Sequence, residues 1–234
     1  MSKILLFGNQ KGGVGKTTLT ALTANALSLP PFSRRVFVAD LDQQQTLIRR
    51  RLADLRDLDG DQVPPYKLEA KTIAELLAEI EELDRAFDVI LIDAAGKIDA
   101  QHPAELQEIT KLLALADFLF VPVIAGNYAL DSTLDYLRLA FKIKARRPER
   151  PLEVIAVVNM AELQTIDARQ LSEELAEIRA MIPALRVMKT PLHRYSAFRA
   201  IDTLTSLYIP GKVDKARANF RQWIEELVKI IGKK

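Results

Sequence analysis

Four glycines, two lysines and a threonine crowd into Phe7-Gly8-Asn9-Gln10-Lys11-Gly12-Gly13-Val14-Gly15-Lys16-Thr17. The apolar run before it, Ile4-Leu5-Leu6-Phe7, reads as a short buried strand, and Leu19, Leu22 and Ala26 after it recur at helical spacing. Strand, glycine loop and helix form the context a phosphate-binding loop requires. Glycines let backbone N–H groups close around phosphate oxygens, and the helix N-terminus adds the positive end of its dipole. Lys16 is spaced to reach β- and γ-phosphates, and the Thr17 hydroxyl to ligate Mg²⁺. The chemistry this predicts is binding of a nucleoside triphosphate.

The loop departs from the ordinary G-x-x-x-x-G-K-[ST] spacing, which places glycine where this chain has Gln10. It carries a second lysine instead, Lys11, opening Lys11-Gly12-Gly13-Val14-Gly15-Lys16-Thr17-Thr18. This resembles the deviant phosphate loop of the ParA/MinD superfamily of ATPases. Asn9-Gln10 before the lysine is similar to the ParA partition branch, whereas MinD-type loops carry Ser-Gly there. The resemblance implies ATP and Mg²⁺ as cofactors, held along Lys11 to Thr18. It also implies that Lys11 reaches across a homodimer interface to the partner subunit's phosphates.

Two further acidic stretches follow apolar runs. In Ala39-Asp40-Leu41-Asp42-Gln43-Gln44, two carboxylates two residues apart at a strand end point the same way. The resembling family reads roughly Asp-x-Asp-Pro-Gln here, with Gln43 replacing the proline. By that resemblance Asp40 lies near the magnesium and Asp42 positions the attacking water, which makes Lys11, Lys16 and Asp42 the catalytic set. Val89-Ile90-Leu91-Ile92-Asp93 is a Walker B arrangement, its acid orienting Mg²⁺ together with Thr17. Ala94-Ala95-Gly96 after it reads as a switch-like loop. Asn159 and Pro191, the latter with Leu192 and His193, match positions that contact the base in relatives. His102 and His193 make no metal or catalytic spacing and are expected at the surface.

The elements that must position these groups alternate along the chain. Strands are predicted at Lys3–Gly8, Arg35–Ala39, Tyr66–Glu69, Val89–Ile92, Phe118–Val123, Val154–Asn159 and Arg186–Lys189. Helices are predicted at Lys16–Ser28, Gln43–Arg56, Thr72–Arg85, Ala104–Ala114, Leu130–Ala145, Asp167–Met181 and Asp214–Ile231, with a short one near Ser196–Leu207. This is an α/β P-loop NTPase pattern: a mostly parallel sheet covered by helices on both faces, with ligands at the strands' carboxyl ends. At 234 residues, one domain over 1–234 is expected, and the best loops, Gly60–Pro65 and Arg146–Pro151, do not read as linkers.

Composition narrows the function. The chain has no cysteine, which excludes disulfides, thiol nucleophiles, zinc–thiolate sites and the iron–sulfur clusters of some superfamily members. No apolar run reaches about 18 residues and no basic leader opens the chain, so a cytoplasmic protein is expected. Nor does a helix-turn-helix precede the first strand, so autoregulation by this chain is not expected.

Net charge is +2 but unevenly spread. Arg186–Lys234 holds eleven Lys/Arg against four Asp/Glu, Lys142–Arg150 five basic residues and one Glu, and Asp54–Glu108 is mostly acidic. Segregation of this kind fits a polyanionic partner. The partition resemblance implies an ATP dimer that binds DNA non-specifically, associates with the nucleoid and hydrolyses ATP slowly until a ParB-like centromere-binding partner stimulates it. Arg194, Arg199, Lys212, Lys215, Arg217 and Arg221 are the DNA-contact candidates. Two other outputs compete. A MinD-like membrane association would use Phe220–Ile231 as an amphipathic helix followed by Lys233-Lys234. Glu225 and Glu226 argue against that, and packing through Trp223, Leu227 and Ile231 is the plainer expectation. A metabolic enzyme of the same fold would need a second set of catalytic groups, and no motif for one is found.

Overall fold

The computed structural model describes residues 1–57, 63–94, 102–124, 130–162, 166–199, 202–209 and 214–232. Strands β1 (Lys3–Phe7), β2 (Val36–Asp40), β3 (Lys67–Ala70), β4 (Val89–Asp93), β5 (Phe118–Val123), β6 (Glu153–Val158) and β7 (Arg186–Val187) form one sheet in the order β3-β2-β4-β1-β5-β6-β7. Every strand pair is parallel. Helices α1 (Lys16–Ser28), α2 (Thr46–Arg56), α3 (Ile73–Ala86), α4 (Pro103–Leu115), α5 (Leu130–Ala145), α6 (Ile166–Met181) and α7 (Lys215–Ile231) cover both faces.

Two-sided burial explains why the central strands are continuous apolar runs. β2, β4 and β5 are buried along their whole length, and β1 at all but its first residue. Period-two alternation deals the side chains to two cores. Ile4 and Leu6 join a layer with residues of α3, α4, α5 and α6, while Leu5 and Phe7 join another with α1, α2 and α7. Edge strand β3 shows the reverse pattern: it is half-exposed and guarded by Lys67 and Glu69, which pair at 2.7 Å.

Most boundaries fall within one residue of the predicted ones; three differ by more, and in each of these a side chain has taken a backbone amide. α2 starts at Thr46 rather than Gln43 because Asp42 accepts the Gln44 N–H through Oδ1 and the Gln45 N–H through its carbonyl. β7 stops at Val187 because the Lys189 and Thr190 amides donate to the Glu226 carboxylate at 2.7 and 2.8 Å. The helix predicted near Ser196–Leu207 is only a 3₁₀ turn at Ser196–Phe198. Beyond it, Asp54 accepts the N–H and the hydroxyl of Thr203, taking that amide from any helix through it, and no helix follows among the described residues up to α7. Gly60 of the predicted Gly60–Pro65 loop and Lys233-Lys234 lie outside the described residues.

The last helix packs as the plainer expectation has it. Phe220, Trp223, Ile224, Leu227, Val228, Ile230 and Ile231 are all buried, which removes the apolar face a membrane helix would need. No described helix is long and apolar enough to cross a membrane. Trp223 is fully buried and stacks on Phe7 at 6.5 Å and Phe220 at 6.1 Å, tying α7 to the strand that leads into the glycine loop. Trp223→Ala is expected to lower the unfolding free energy by about 3–5 kcal/mol, measured by urea denaturation.

Candidate functional site

The site begins where β1, β4 and β2 end side by side. Phe7 pairs in register with Asp93, and Asp93 with Asp40, so two carboxylates stand on adjacent strands directly beyond the loop-bearing strand. Both lie inside their strands as the final residue, and both are buried, Asp93 completely and Asp40 to 1% exposure. Gly8 follows Phe7 because nothing larger fits: an added Cβ would collide with the Tyr136 hydroxyl of α5. Gly13 and Gly15 adopt positive φ, 75° and 90°. A side chain at Gly15 would also strike Asn159 Nδ2. α1 then starts without a side-chain cap or an acidic first turn, leaving its first amides for an anion.

Lys16 is only 4% exposed. Its Nζ donates to the carbonyls of Asn9 and Lys11, both at 3.1 Å, so the ammonium stands at the centre of the loop. Burial lowers its pKa, while Asp93 and then Asp42 act in the opposite sense. Asp93 is shifted the other way. Burial foremost, then the neighbouring charge of Asp40, pushes its carboxyl up to about 7, against a hydrogen bond from Thr17 and the field of Lys16. Thr20 Oγ1 lies 3.5 Å from Asp93 Oδ1, and Asp93 Oδ2 has no hydrogen-bond partner at all.

That orphaned, buried oxygen is the best measure of whether Mg²⁺ fits. A carboxylate oxygen without a donor, beside a threonine hydroxyl and a second carboxylate, is a hard oxygen set of the kind Mg²⁺ takes together with phosphate oxygens. The described residues contain no cluster of three or more His, Cys, Asp and Glu able to hold a metal unaided. Asp40 is occupied otherwise: Oδ1 accepts the Asp42 N–H at 3.1 Å and Oδ2 the Ile48 N–H at 3.3 Å. It shapes the turn that carries Asp42 and anchors the start of α2, and burial raises its pKa. Asp42 itself is half-exposed at the rim.

Asn159 and Pro191, far apart in sequence, are brought to the same side of the loop. Asn159 Nδ2 donates to the Val14 carbonyl at 2.8 Å, and Met160 Cε lies 3.2 Å from where a Gly15 side chain would be. The chain after Pro191 runs beside the end of β6, with Leu192 N–H bonded to Val158 O and Ala161 N–H to Leu192 O. Pro191 O accepts from Asn219 of α7 at 2.9 Å.

Two of the basic candidates open α7. Lys215 and Arg217 lie in its first turn, and Asn219 binds both Pro191 O and the His193 amide, which ties the segment before Arg194 to the same helix. Arg194 and Arg199 are exposed, as is Lys215. Arg194 pairs with Glu162 at 2.6 Å and Arg217 with Asp214 at 2.5 Å, while Arg221 is half-buried and acts on Tyr208. Lys212 and the switch-like residues Ala95-Gly96 lie outside the described residues. In the Lys142–Arg150 stretch, Arg147 caps the carbonyls of Leu113 and Ala116 and Arg150 binds Asp117, so part of its charge is structural. Of the two histidines, His102 is exposed at the start of α4 and His193 is half-buried, stacked edge-on against Tyr195.

Sequence reasoning missed four residues of this site. Asn9 is 1% exposed and fully engaged by hydrogen bonds to Pro122, Thr133 and Lys11. Tyr136 presses on Gly8 and Thr20 approaches Asp93. Glu174 of α6 is 7% exposed with an unpartnered Oε1; burial and Glu177 raise its pKa while Lys11 lowers it. Each has a partner on another element, and no local pattern marks them.

The Asp93 shift has a pH signature. The folded chain keeps a proton on Asp93 that the unfolded chain has released, so this contribution is complete below about pH 4 and is lost as pH rises to about 7. Comparing nucleotide- and Mg²⁺-free protein with Asp93→Asn by urea denaturation across pH 4–8, the difference should shift against the parent chain by ~4 kcal/mol.

Comparison with known proteins agrees with this geometry. The domain family described as the CobQ/CobB/MinD/ParA nucleotide binding domain matches residues 5–234. Protein virC1 of Rhizobium rhizogenes is 27% identical over 97% of this chain and 95% of its own length. The chromosome-partitioning ATPase Soj of Thermus thermophilus is 29% identical over 73% of this chain and 74% of its own length. Among solved structures, the ATP complex of a Cyanothece McdA variant superimposes with a TM-score of 0.70 at 17% identity, over 97% of this chain and 96% of that one. Cobyrinic acid a,c-diamide synthase from Mycobacterium smegmatis with bound ADP and magnesium gives 0.64 at 20% identity, over 98% and 95%.

Proposed function

The chain belongs to the CobQ/CobB/MinD/ParA nucleotide-binding family, and from that premise we propose that it is an ATP-driven dimer switch that hydrolyses ATP and grips DNA non-specifically while dimeric. The observation that carries this reading is the second lysine. Lys11 is half-buried, and its backbone rather than its ammonium completes the cradle for Lys16. Its ammonium takes no part in that cradle and its charge acts on Glu174 of α6; a phosphate on a facing subunit is the ligand proposed for it.

Phosphoryl transfer to water asks the protein for position and charge. The amides of Gly12 to Thr18 and the Lys16 ammonium hold the β- and γ-phosphates. Asp93 and the Thr17 hydroxyl would hold Mg²⁺, which would supply positive charge against the triphosphate. Asp42, on the turn fixed by Asp40, orients the water whose oxygen bonds the γ-phosphorus as the bond to the ADP oxygen breaks; the water's proton leaves with inorganic phosphate. Asn159 and the Pro191–His193 segment face the base. The partner's Lys11 approaches the same phosphates, so ATP joins the subunits and its cleavage releases them.

The output follows from charge. Dimerisation doubles the basic surface near Arg194, Arg199, Lys215, Arg217 and Arg221, to which Lys212 belongs in sequence, and strengthens a phosphate grip. The likeness to a chromosome-partitioning ATPase supports partition of a DNA cargo, with a ParB-like partner stimulating hydrolysis. Binding to DNA would place the protein on the nucleoid, in the cytoplasm.

In sedimentation velocity, Asp42→Ala should form a dimer with ATP–Mg²⁺ and a monomer with ADP. Lys16→Ala should lose the thermal shift on adding ATP–Mg²⁺. A strict monomer for Asp42→Ala at high concentration counts against the switch. The dimer should retain random-sequence duplex DNA with ATP but not ADP, and lose affinity by about tenfold or more between 50 and 200 mM salt. Binding to anionic vesicles in its place would assign the output to a membrane.

A further inference from the structure

The Asn9 side chain has no part in the chemistry above, yet both of its polar atoms are engaged. Nδ2 donates to Pro122 O at 2.9 Å and to Thr133 Oγ1 at 3.2 Å, and Oδ1 accepts the Lys11 N–H at 3.1 Å. The residue thus joins the end of β5, the first turns of α5 and the backbone of Lys11. Only a side-chain amide supplies two donors and an acceptor on so short a stem; Asp lacks the donors, and Ser has one oxygen for all three partners.

α5 meets the loop a second time. Tyr136, one turn beyond Thr133 on the same helix face, places its hydroxyl where Gly8 has no side chain. Gly8 and Asn9 are therefore both registered against α5, just before the loop becomes glycine-rich and loses side chains that could fix it. Pro122 lies past the last residue of β5 in register with β1, which is Phe120, so its carbonyl is free of that ladder and accepts from Asn9.

We infer that Asn9, with Thr133, is a positioning residue for Lys11: by fixing the Lys11 amide to the β5–α5 framework it sets the point from which the lysine leaves toward the partner subunit. A lysine stem is flexible, so its direction must come from its backbone anchor. Displacing a charged group by about an ångström weakens its contact with a developing or bound charge. This inference rests on the reading that Lys11 acts across the dimer, and the test separates the two.

Asn9→Ala, Thr133→Val, Thr133→Ser and Lys11→Ala are compared in the Asp42→Ala background. Sedimentation velocity with ATP–Mg²⁺ gives the dimer dissociation constant, and ATP titration of dilute protein gives monomer affinity. The dimer constant should rise about tenfold for Asn9→Ala and about threefold for Thr133→Val, each by a larger factor than monomer ATP affinity falls, and Thr133→Ser should restore it. Equal losses in monomer affinity and dimerisation would overturn the inference, since Asn9 then merely maintains the loop. Unchanged dimerisation in Asn9→Ala and Thr133→Val, with Lys11→Ala monomeric, overturns it while leaving the trans-lysine reading intact. An ATP dimer that survives Lys11→Ala overturns both. Where thermal melting shows Asn9→Ala unfolded, the two Thr133 variants, which retain Asn9, decide.

Discussion

A buried ammonium set among carbonyls, in the field of the buried Asp93 carboxylate, is the constraint around which the nucleotide end is built. Lys16 cannot leave the loop without abandoning the carbonyls of Asn9 and Lys11, and the Asp93 carboxylate cannot be solvated by bulk water because none of its surface is exposed. Parallel register forces the arrangement, aligning Phe7, Asp93 and Asp40 across three adjacent strands. The Asp93 pKa is raised by burial foremost and then by the neighbouring charge of Asp40, against the field of Lys16.

The two helices that start at this end finish on a common turn. α1 leaves the glycine loop and sends the Asn25 amide to the Asp202 carbonyl. α2 leaves the Asp42 turn and sends Arg51 to Thr203, at 3.0 Å from Nε to Oγ1, and Asp54 to the Thr203 amide at 2.8 Å. Arg51 also lies 4.3 Å over the Tyr66 ring and donates to the Tyr66 carbonyl. Such buried charge networks fix geometry more than they add stability. Here the geometry fixed is that of the turn at Asp202 and Thr203.

Much of this was legible from residue order. Strand and helix types were readable because buried parallel strands are continuous apolar runs and helices show their own period, as in Val89–Asp93 and Lys16–Ser28. Lys11, Lys16, Thr17, Asp40, Asp42 and Asp93 were nameable because a phosphate loop and strand-end acids are local patterns. Element ends were less legible where Asp42, Asp54 and Glu226 capture amides, since a side chain's choice of partner has no periodicity. The segment after Phe198 illustrates this: its composition suits a helix, and Asp54, 149 residues away, prevents one.

What the order of residues determined alone was the chemistry within reach of one loop: glycines where the backbone must turn with positive φ, lysines and a hydroxyl spaced for a triphosphate, and acids at the ends of apolar strands. The tertiary structure decided which of these groups are used up and which are free. Asp40 and Asp93 differ only once the strands are paired, one with both oxygens held by amides and the other with an oxygen left bare. Asn9 changes from a family marker into an anchor only when Pro122 and Thr133 fold against it. Burial and hydrogen-bond partnership are properties of segments far apart in the chain, and no window of sequence contains them.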